Sequence, residues 1–92
     1  MKKHDWDDEK SKKLANERGI CFEDIVVLIE QGFLLAVIGH PNSAKYPNQK
    51  MYVVNVRGYA YVVPFVENEH GVWLKTIFPS RKLTRLYLGE SV

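Results

Sequence analysis

The chain has 92 residues, of which 46% are hydrophobic, 12% aromatic and 26% charged. This composition is typical of a globular protein and excludes a wholly disordered chain, and 92 residues are too few to build two hydrophobic cores. The longest apolar runs, "IVVLI" and "FLLAVI", are much shorter than the roughly 18 residues of a transmembrane helix. We therefore expect residues 1–92 to form a single cytoplasmic domain that does not interact with a membrane.

Basic residues concentrate in the second half of the chain. Residues 1–40 contain six Lys or Arg and eight Asp or Glu, whereas residues 41–92 contain seven and three. A surface built from the second half would attract a polyanion such as a nucleic acid, because each cation set against a phosphate releases a condensed counterion. The single cysteine, Cys21, excludes an internal disulfide and a cysteine-based zinc cluster, and a lone thiol is typical of a reducing compartment.

Two helices are predicted at the start of the chain. The first begins at Asp5 or Asp7, both good N-caps, continues through "DDEKSKKLANER" and ends at Gly19. The second, in "CFEDIVVLIEQG", closes at Gly32, and Cys21 at its cap position predicts a weak start because a thiol replaces the usual hydroxyl. Its apolar stripe has helical spacing and consists of Phe22, Ile25, Val26 and Ile29.

The chain after residue 32 is rich in β-branched and aromatic residues, which predicts strands at residues 33–38, 50–56, 59–66 and 72–78. A polar loop at 39–49 joins the first two, and Arg57-Gly58 predicts a tight hairpin. Pro64 cannot donate to a sheet and indicates an edge, a bulge or an outward-facing position. The predicted fold is α+β: two N-terminal helices packed on a four-stranded antiparallel sheet, with a short C-terminal helix.

The C-terminal segment "IFPSRKLTRLY" predicts that last helix. Pro79 ends the strand, Ser80 is a good N-cap, and residues 81–87 form about two turns. Helical spacing would place leucines and a tyrosine on one side and three basic residues on the other. The basic side consists of Arg81, Lys82 and Arg85. Because the amide groups of a helix start favour anions, this turn is a candidate phosphate site.

Two stretches resemble a known family of toxins. "WDDEKSKKLANERGICFED", residues 6–24, is similar to the N-terminal signature of the BrnT toxins, where a Trp-Asp pair, a Lys three residues after that Asp, and Gly-hydrophobic-x-Phe-Glu occur at this spacing. "FPSRKLTR" resembles the segment that ends the last strand of that family. The resemblance implies a RelE/ParE-like fold, a ribonuclease activity that blocks translation, and a neighbouring antitoxin whose DNA-binding domain forms dimers.

Metal-independent RNA cleavage needs a base for the 2′-hydroxyl proton, cations for the phosphorane charge and an acid for the leaving oxygen. We predict Arg81 as a bidentate phosphate clamp, Arg85 and Lys75 as further cations, and His40 as a group that transfers protons near neutral pH. The predicted RNA-binding residues are Lys82, Arg57, Lys45, Tyr46 and Lys50.

Other prominent residues have simpler interpretations. His4, His40 and His70 lack the spacing of metal ligands, so the sequence predicts neither a metal nor another cofactor. Trp6 and Trp73 are predicted core residues. The terminus that carries His4 is expected to fray.

Two functions remain open from the sequence. The first is a metal-independent endoribonuclease toxin that cleaves RNA by 2′-hydroxyl attack. The alternative is a non-catalytic module of the same fold that acts through an antitoxin or a nucleic-acid partner. Both faces of the predicted sheet are apolar, which indicates association with a partner, either an antitoxin or a second copy of the chain.

Overall fold

The computed structural model describes residues 3–42 and 44–89, and within these residues the chain forms three helices and one mixed sheet of six strands. The helices are α1 Asp8–Arg18, α2 Phe22–Glu30 and α3 Arg81–Leu88. The strands are β1 His4–Asp5, β2 Leu34–Gly39, β3 Gln49–Val56, β4 Tyr59–Asn68, β5 Gly71–Leu74 and β6 Phe78–Pro79. The α+β class is confirmed, whereas the four-stranded antiparallel arrangement is wrong.

Local capping fixes the bounds of α1. The Asp7 carboxylate accepts hydrogen bonds from the N–H groups of Glu9 and Lys10, at 3.0 and 3.4 Å. The helix ends at Gly19, whose φ of 70° lies in the left-handed region that glycine adopts without a side-chain clash. Of the two N-caps that the sequence offers, Asp5 and Asp7, the structure selects Asp7, and the predicted end at Gly19 is confirmed.

The start of α2 is satisfied without a hydroxyl at position 21. The Asp24 carboxylate accepts from the Cys21 N–H at 3.1 Å and from its thiol at 3.2 Å. The buried Ser11 hydroxyl, which belongs to α1, accepts from the Phe22 N–H at 3.1 Å. Burial is the main cause that raises the pKa of the Cys21 thiol. These hydrogen bonds replace those of a hydroxyl cap, and the bond from Phe22 to Ser11 links α2 to α1.

The strands lie in the order β1-β5-β4-β3-β2, and β6 pairs with β4 beside β5. The β3–β4 hairpin turns at Arg57 and Gly58, whose φ angles of 53° and 85° are those of a type I′ turn, so this prediction is confirmed. β1 pairs parallel with β5, with His4 opposite Val72. This parallel strand, absent from the prediction, makes the sheet mixed.

The predicted strand at residues 72–78 is split into β5 and β6, and Pro64 explains the break. Phe65 lies opposite Leu74 and Val62 opposite Phe78, so Pro64 lies between the two paired segments. Its carbonyl accepts from the Lys75 N–H at 2.8 Å, but its ring nitrogen has no hydrogen to donate. Between the paired segments two residues of β4, Val63 and Pro64, lie opposite three residues, 75–77. Of the alternatives left open for Pro64 the structure therefore selects a bulge.

The sheet has two unlike faces. The core face packs against α1 and α2 and contains alternate residues of each central strand, and its buried cluster is Leu14, Ile20, Phe22, Ile25, Val54, Val56, Val63, Phe65, Val72, Leu74 and Ile77. The open face carries the residues between them, and near the hairpin Val53, Ala60 and Val62 are buried there. α3 packs against β4 at this end. Among the described residues, no helix is long and apolar enough to cross a membrane.

Candidate nucleic-acid interface

α3 is fixed to the sheet through Ser80 and Thr84. The Ser80 hydroxyl caps the helix by accepting from the Leu83 N–H at 3.2 Å, and the Ser80 N–H donates to the Ala60 carbonyl at 3.0 Å. The buried Thr84 hydroxyl accepts from the Ala60 N–H at 2.8 Å and donates to the Ser80 carbonyl at 2.7 Å. The helix start therefore has a defined position relative to β4, as a binding site requires.

The basic residues of α3 lie together on its exposed side. Arg81, Lys82 and Arg85 are exposed and line an open depression of about 500 Å³ together with Leu86. The predicted division of the helix into a leucine side and a basic side is wrong in one respect. Leu86, which is 68% exposed, lies beside the cations, because the small hydroxyl residue Thr84 occupies the contact with the sheet.

The three α3 cations have no acidic partner among the described residues: the ion pairs found there are Lys50 with Glu67 at 3.7 Å and His70 with Glu69 at 3.6 Å. Arg81, Lys82 and Arg85 therefore remain available to an external anion. Their side chains are exposed, so an anion such as a phosphate can reach them without a change of the fold.

Lys75 lies in the break between β5 and β6 and is exposed. In a continuous strand over residues 72–78, as the sequence predicts, Lys75 would share a face with Trp73 and Ile77. In the structure these two residues lie on opposite faces, because Ile77 belongs to the buried cluster and Trp73 is 43% exposed. The prediction of Trp73 as a core residue is therefore wrong. The backbone N–H of Lys75 donates to the Pro64 carbonyl, so Lys75 lies at the level of Pro64. Pro64 is four residues along β4 from Ala60, and Lys75 is therefore roughly 13 Å from the start of α3.

His40 lies at the opposite end of the sheet from α3. The backbone N–H of His40 donates to the Gln49 carbonyl at 3.2 Å, so His40 lies at the level of Gln49 on β3. The start of α3 lies beside Ala60, which is opposite Asn55 of β3. Six residues of β3 separate these two levels, or roughly 20 Å. The structure does not bring His40 together with the α3 cations, so His40 cannot transfer protons at a phosphate bound by those cations.

His40 instead forms part of a second cluster in the loop after β2. Its ring lies 4.6 Å from the Tyr46 ring, centroid to centroid, and the Lys45 ammonium lies 5.5 Å from the Tyr46 centroid. The His40 Nδ1 accepts from the Asn42 N–H at 3.0 Å, so the proton of the neutral imidazole lies on Nε2. Three predicted residues thus come together, apart from the α3 cations.

The remaining predicted RNA-binding residues are dispersed. Lys50 is paired with Glu67. Arg57, at the hairpin turn, lines a shallow cavity with Ile20 and Asp24, which places it on the side of α2 rather than of α3. Arg57 therefore extends neither cluster, whereas Lys50 lies opposite Gly39, the residue before His40.

Sequence reasoning missed two contacts of the N-terminal region. Arg18 donates from its guanidinium to the Ile77 carbonyl and so ties the end of α1 to the break in the last strand. His4 does not fray: its Nε2 lies 2.9 Å from the Tyr52 hydroxyl, and Tyr52 stacks on Phe65 at 4.1 Å. Burial lowers the pKa of His4, against an opposing effect of Glu30. Neither pair has a signal in the local sequence, since the partners are far apart along the chain.

Within residues 3–42 and 44–89, no three His, Cys, Asp or Glu side chains are grouped so that they could hold a metal ion. The chain matches no protein-family model, no curated protein and no solved structure. The resemblance to the BrnT toxins therefore depends on the two quoted stretches alone.

Proposed function

We propose that this protein is a metal-independent endoribonuclease toxin of a toxin–antitoxin pair, which holds the RNA backbone with the basic side of α3. The observation that carries the proposal is the group of Arg81, Lys82 and Arg85, which are exposed on an anchored helix without an acidic partner among the described residues. The resemblance of residues 6–24 and of "FPSRKLTR" to the BrnT toxins supports the same function and a RelE-like fold.

The α3 cations suit the electrostatic part of RNA cleavage. When the 2′-hydroxyl oxygen attacks phosphorus, negative charge accumulates on the nonbridging oxygens of the phosphorane. A guanidinium forms two parallel hydrogen bonds with such oxygens, and Arg81 stands at the start of α3, where backbone dipoles also favour an anion. Attack by the 2′-oxygen expels the 5′-oxygen and leaves a 2′,3′-cyclic phosphate. Arg81 and Arg85 would stabilise the charge, and Lys82 would bind a neighbouring phosphate.

Proton transfer at this site requires a group other than His40, given the roughly 20 Å between the two ends of the sheet. Tyr87, on α3 itself and 37% exposed, is the nearest titratable hydroxyl in sequence to Arg85. An enzyme that relies mainly on charge stabilisation would cleave slowly but would still depend steeply on its arginines.

The test is RNA cleavage by the purified protein in EDTA. We expect wild type to produce 2′,3′-cyclic phosphate ends and Arg81→Ala to cleave about 10²-fold more slowly, the usual effect of losing one charge-stabilising donor. Lys13→Ala, which removes a charge from the exposed surface of α1, is the matched control and should cleave like wild type. Equal cleavage by wild type and Arg81→Ala would contradict the proposal. Repeating the assay with ribosomes detects an activity that needs them.

The position of His40 favours a second candidate, a non-catalytic binding module. The α3 cations would then hold a nucleic acid, but no histidine would be available there to complete the reaction. Expression of the chain alone in bacterial cells separates the two candidates. A ribonuclease toxin should arrest growth and Arg81→Ala should relieve the arrest, whereas a binding module should leave growth unchanged.

We further propose that the partner is an antitoxin with a dimeric DNA-binding domain. The resemblance of residues 6–24 and of "FPSRKLTR" to the BrnT toxins supports this partner. Copurification of the chain with the product of the adjacent reading frame, followed by measurement of the mass of the complex, tests it.

A further inference from the structure

Two exposed aromatic residues of the C-terminal region, Trp73 and Phe78, share one face of the sheet. Trp73 lies directly opposite Val66 of β4, and Phe78 directly opposite Val62. Val62 and Val66 both belong to the open face, because they alternate with the buried cluster residues Val63 and Phe65. Trp73 and Phe78 therefore point to the same side of the sheet, although the break at residues 75–77 separates them.

These aromatic residues are unusually accessible. Trp73 is 43% exposed and Phe78 37% exposed. Tyr87 and Leu86 of α3 are 37% and 68% exposed. Removal of large apolar side chains from water is favourable, so the two exposed rings on the open face, Trp73 and Phe78, indicate a surface that binds something.

Cations alternate with these aromatic residues along the chain. Lys75 lies between Trp73 and Phe78, and the basic side of α3 begins at Arg81, three residues after Phe78. We define the stacking track as Trp73, Lys75, Phe78, Arg81, Lys82 and Arg85. Aromatic rings interleaved with cations are the features by which proteins bind single-stranded nucleic acids, whose bases stack on the rings while the phosphates meet the charges.

We infer that the stacking track binds single-stranded RNA, with bases stacked on Trp73 and Phe78 and the backbone on the α3 cations. The inference rests on the proposed function and specifies its substrate. A duplex does not fit this role, because its bases are stacked on each other and cannot reach a protein ring. Trp73 and Phe78 are four residues apart along β4, or roughly 13 Å, so each ring accepts a different base of the same strand.

The experiment measures binding of a fluorescent 2′-O-methyl RNA oligonucleotide, which cannot be cleaved because it lacks the free 2′-hydroxyl. We expect the single strand to bind at least tenfold more tightly than the same strand annealed to its complement. Trp73→Ala should weaken binding about tenfold, as expected for the loss of one stacked base, while Trp73→Phe should retain most of the affinity. Val37→Ala, which truncates a half-exposed apolar side chain on β2, is the matched control. A DNA strand of the same sequence shows whether RNA is preferred.

Tryptophan fluorescence gives an independent measurement. The chain has two tryptophans, and Trp6 is partly buried beside Phe22 on the other side of the sheet. Binding should quench the emission of wild type and leave that of Trp73→Phe unchanged.

The outcomes separate this inference from the proposed function. Suppose that Arg81→Ala weakens RNA binding, that Trp73→Ala binds as tightly as wild type, and that the duplex binds as tightly as the single strand. The stacking track is then wrong, and the phosphate site on α3 is retained. The open face would then be assigned to a protein partner. If Arg81→Ala also binds normally, both proposals fail.

Discussion

On the core face of the sheet, α1 and α2 cover the strands so completely that Phe22, Ile25 and Val54 are each 0% exposed. On the open face α3 covers only the end near the hairpin, and Trp73 remains 43% exposed at the other end. Both faces are built from similar apolar residues, so composition does not distinguish them. From this difference in burial we expect the stability of this small domain to depend mainly on the core face, while part of the open face remains accessible.

The largest effect should come from truncating the core face. We expect Phe22→Ala to lower the free energy of unfolding by about 3–5 kcal/mol, because it removes buried surface and leaves a cavity. Phe33→Ala, at a position that is 43% exposed, is the matched control and should cost about 1–2 kcal/mol, because only part of its side chain is buried. Urea denaturation followed by circular dichroism measures both. Similar losses for the two variants would mean that the core face does not dominate stability.

The next effect concerns the attachment of α3. Thr84→Val keeps the side-chain volume but removes the hydroxyl that binds the Ala60 N–H and the Ser80 carbonyl. Leaving that buried N–H without an acceptor should cost about 1–3 kcal/mol in the free energy of unfolding. RNA binding should also weaken, because the α3 cations lose their fixed position. Thr76→Val, in the break before β6, should change neither measurement; unchanged RNA affinity in Thr84→Val would show that binding does not need the anchored helix.

A smaller effect is expected in the salt dependence of RNA binding. Each phosphate contact with a single strand contributes about 0.7 to the slope of log affinity against log salt concentration. Replacing Lys82 by Ala should therefore reduce the slope by about 0.7, and replacing Arg81, Lys82 and Arg85 together should reduce it by about 2. Lys12→Ala and Lys13→Ala on α1 should leave it unchanged, and a slope that falls equally in these controls would contradict a localised site.

The smallest expected effect is on the pH dependence of stability. Burial lowers the pKa of His4 below its ordinary value of 6.5, so the folded state binds its proton less readily than the unfolded state. The unfolded state then holds more protons as the pH falls below 6.5, and the free energy of unfolding decreases until the pH passes the lowered pKa. His4→Gln should make the difference in unfolding free energy between pH 7.5 and pH 5.5 smaller than in wild type. An identical difference in both proteins would show that His4 does not contribute.

The candidate site was only partly predictable. The positions of Arg81, Lys82 and Arg85 on one exposed helix follow from Pro79, Ser80 and the spacing of the basic residues. The grouping of His40 with Lys45 and Tyr46 follows from their common loop. The distance between the α3 cations and the His40 group could not be predicted from the sequence, because it depends on which ends of the strands carry the loop and the helix.

The sequence by itself determined the elements whose signals are local: Asp7 and Gly19 bound α1, Arg57-Gly58 turns the hairpin, and Ser80 starts α3. Only the tertiary structure decided that β1 joins the sheet in parallel, that Pro64 splits the last strand, and that Thr84 rather than Leu86 faces the sheet. Caps and turns are bonds between residues a few positions apart, so short patterns specify them. The order of the strands, the orientation of the helices and the exposure of Trp73 result from packing between segments that are distant along the chain. A short local pattern does not specify such packing.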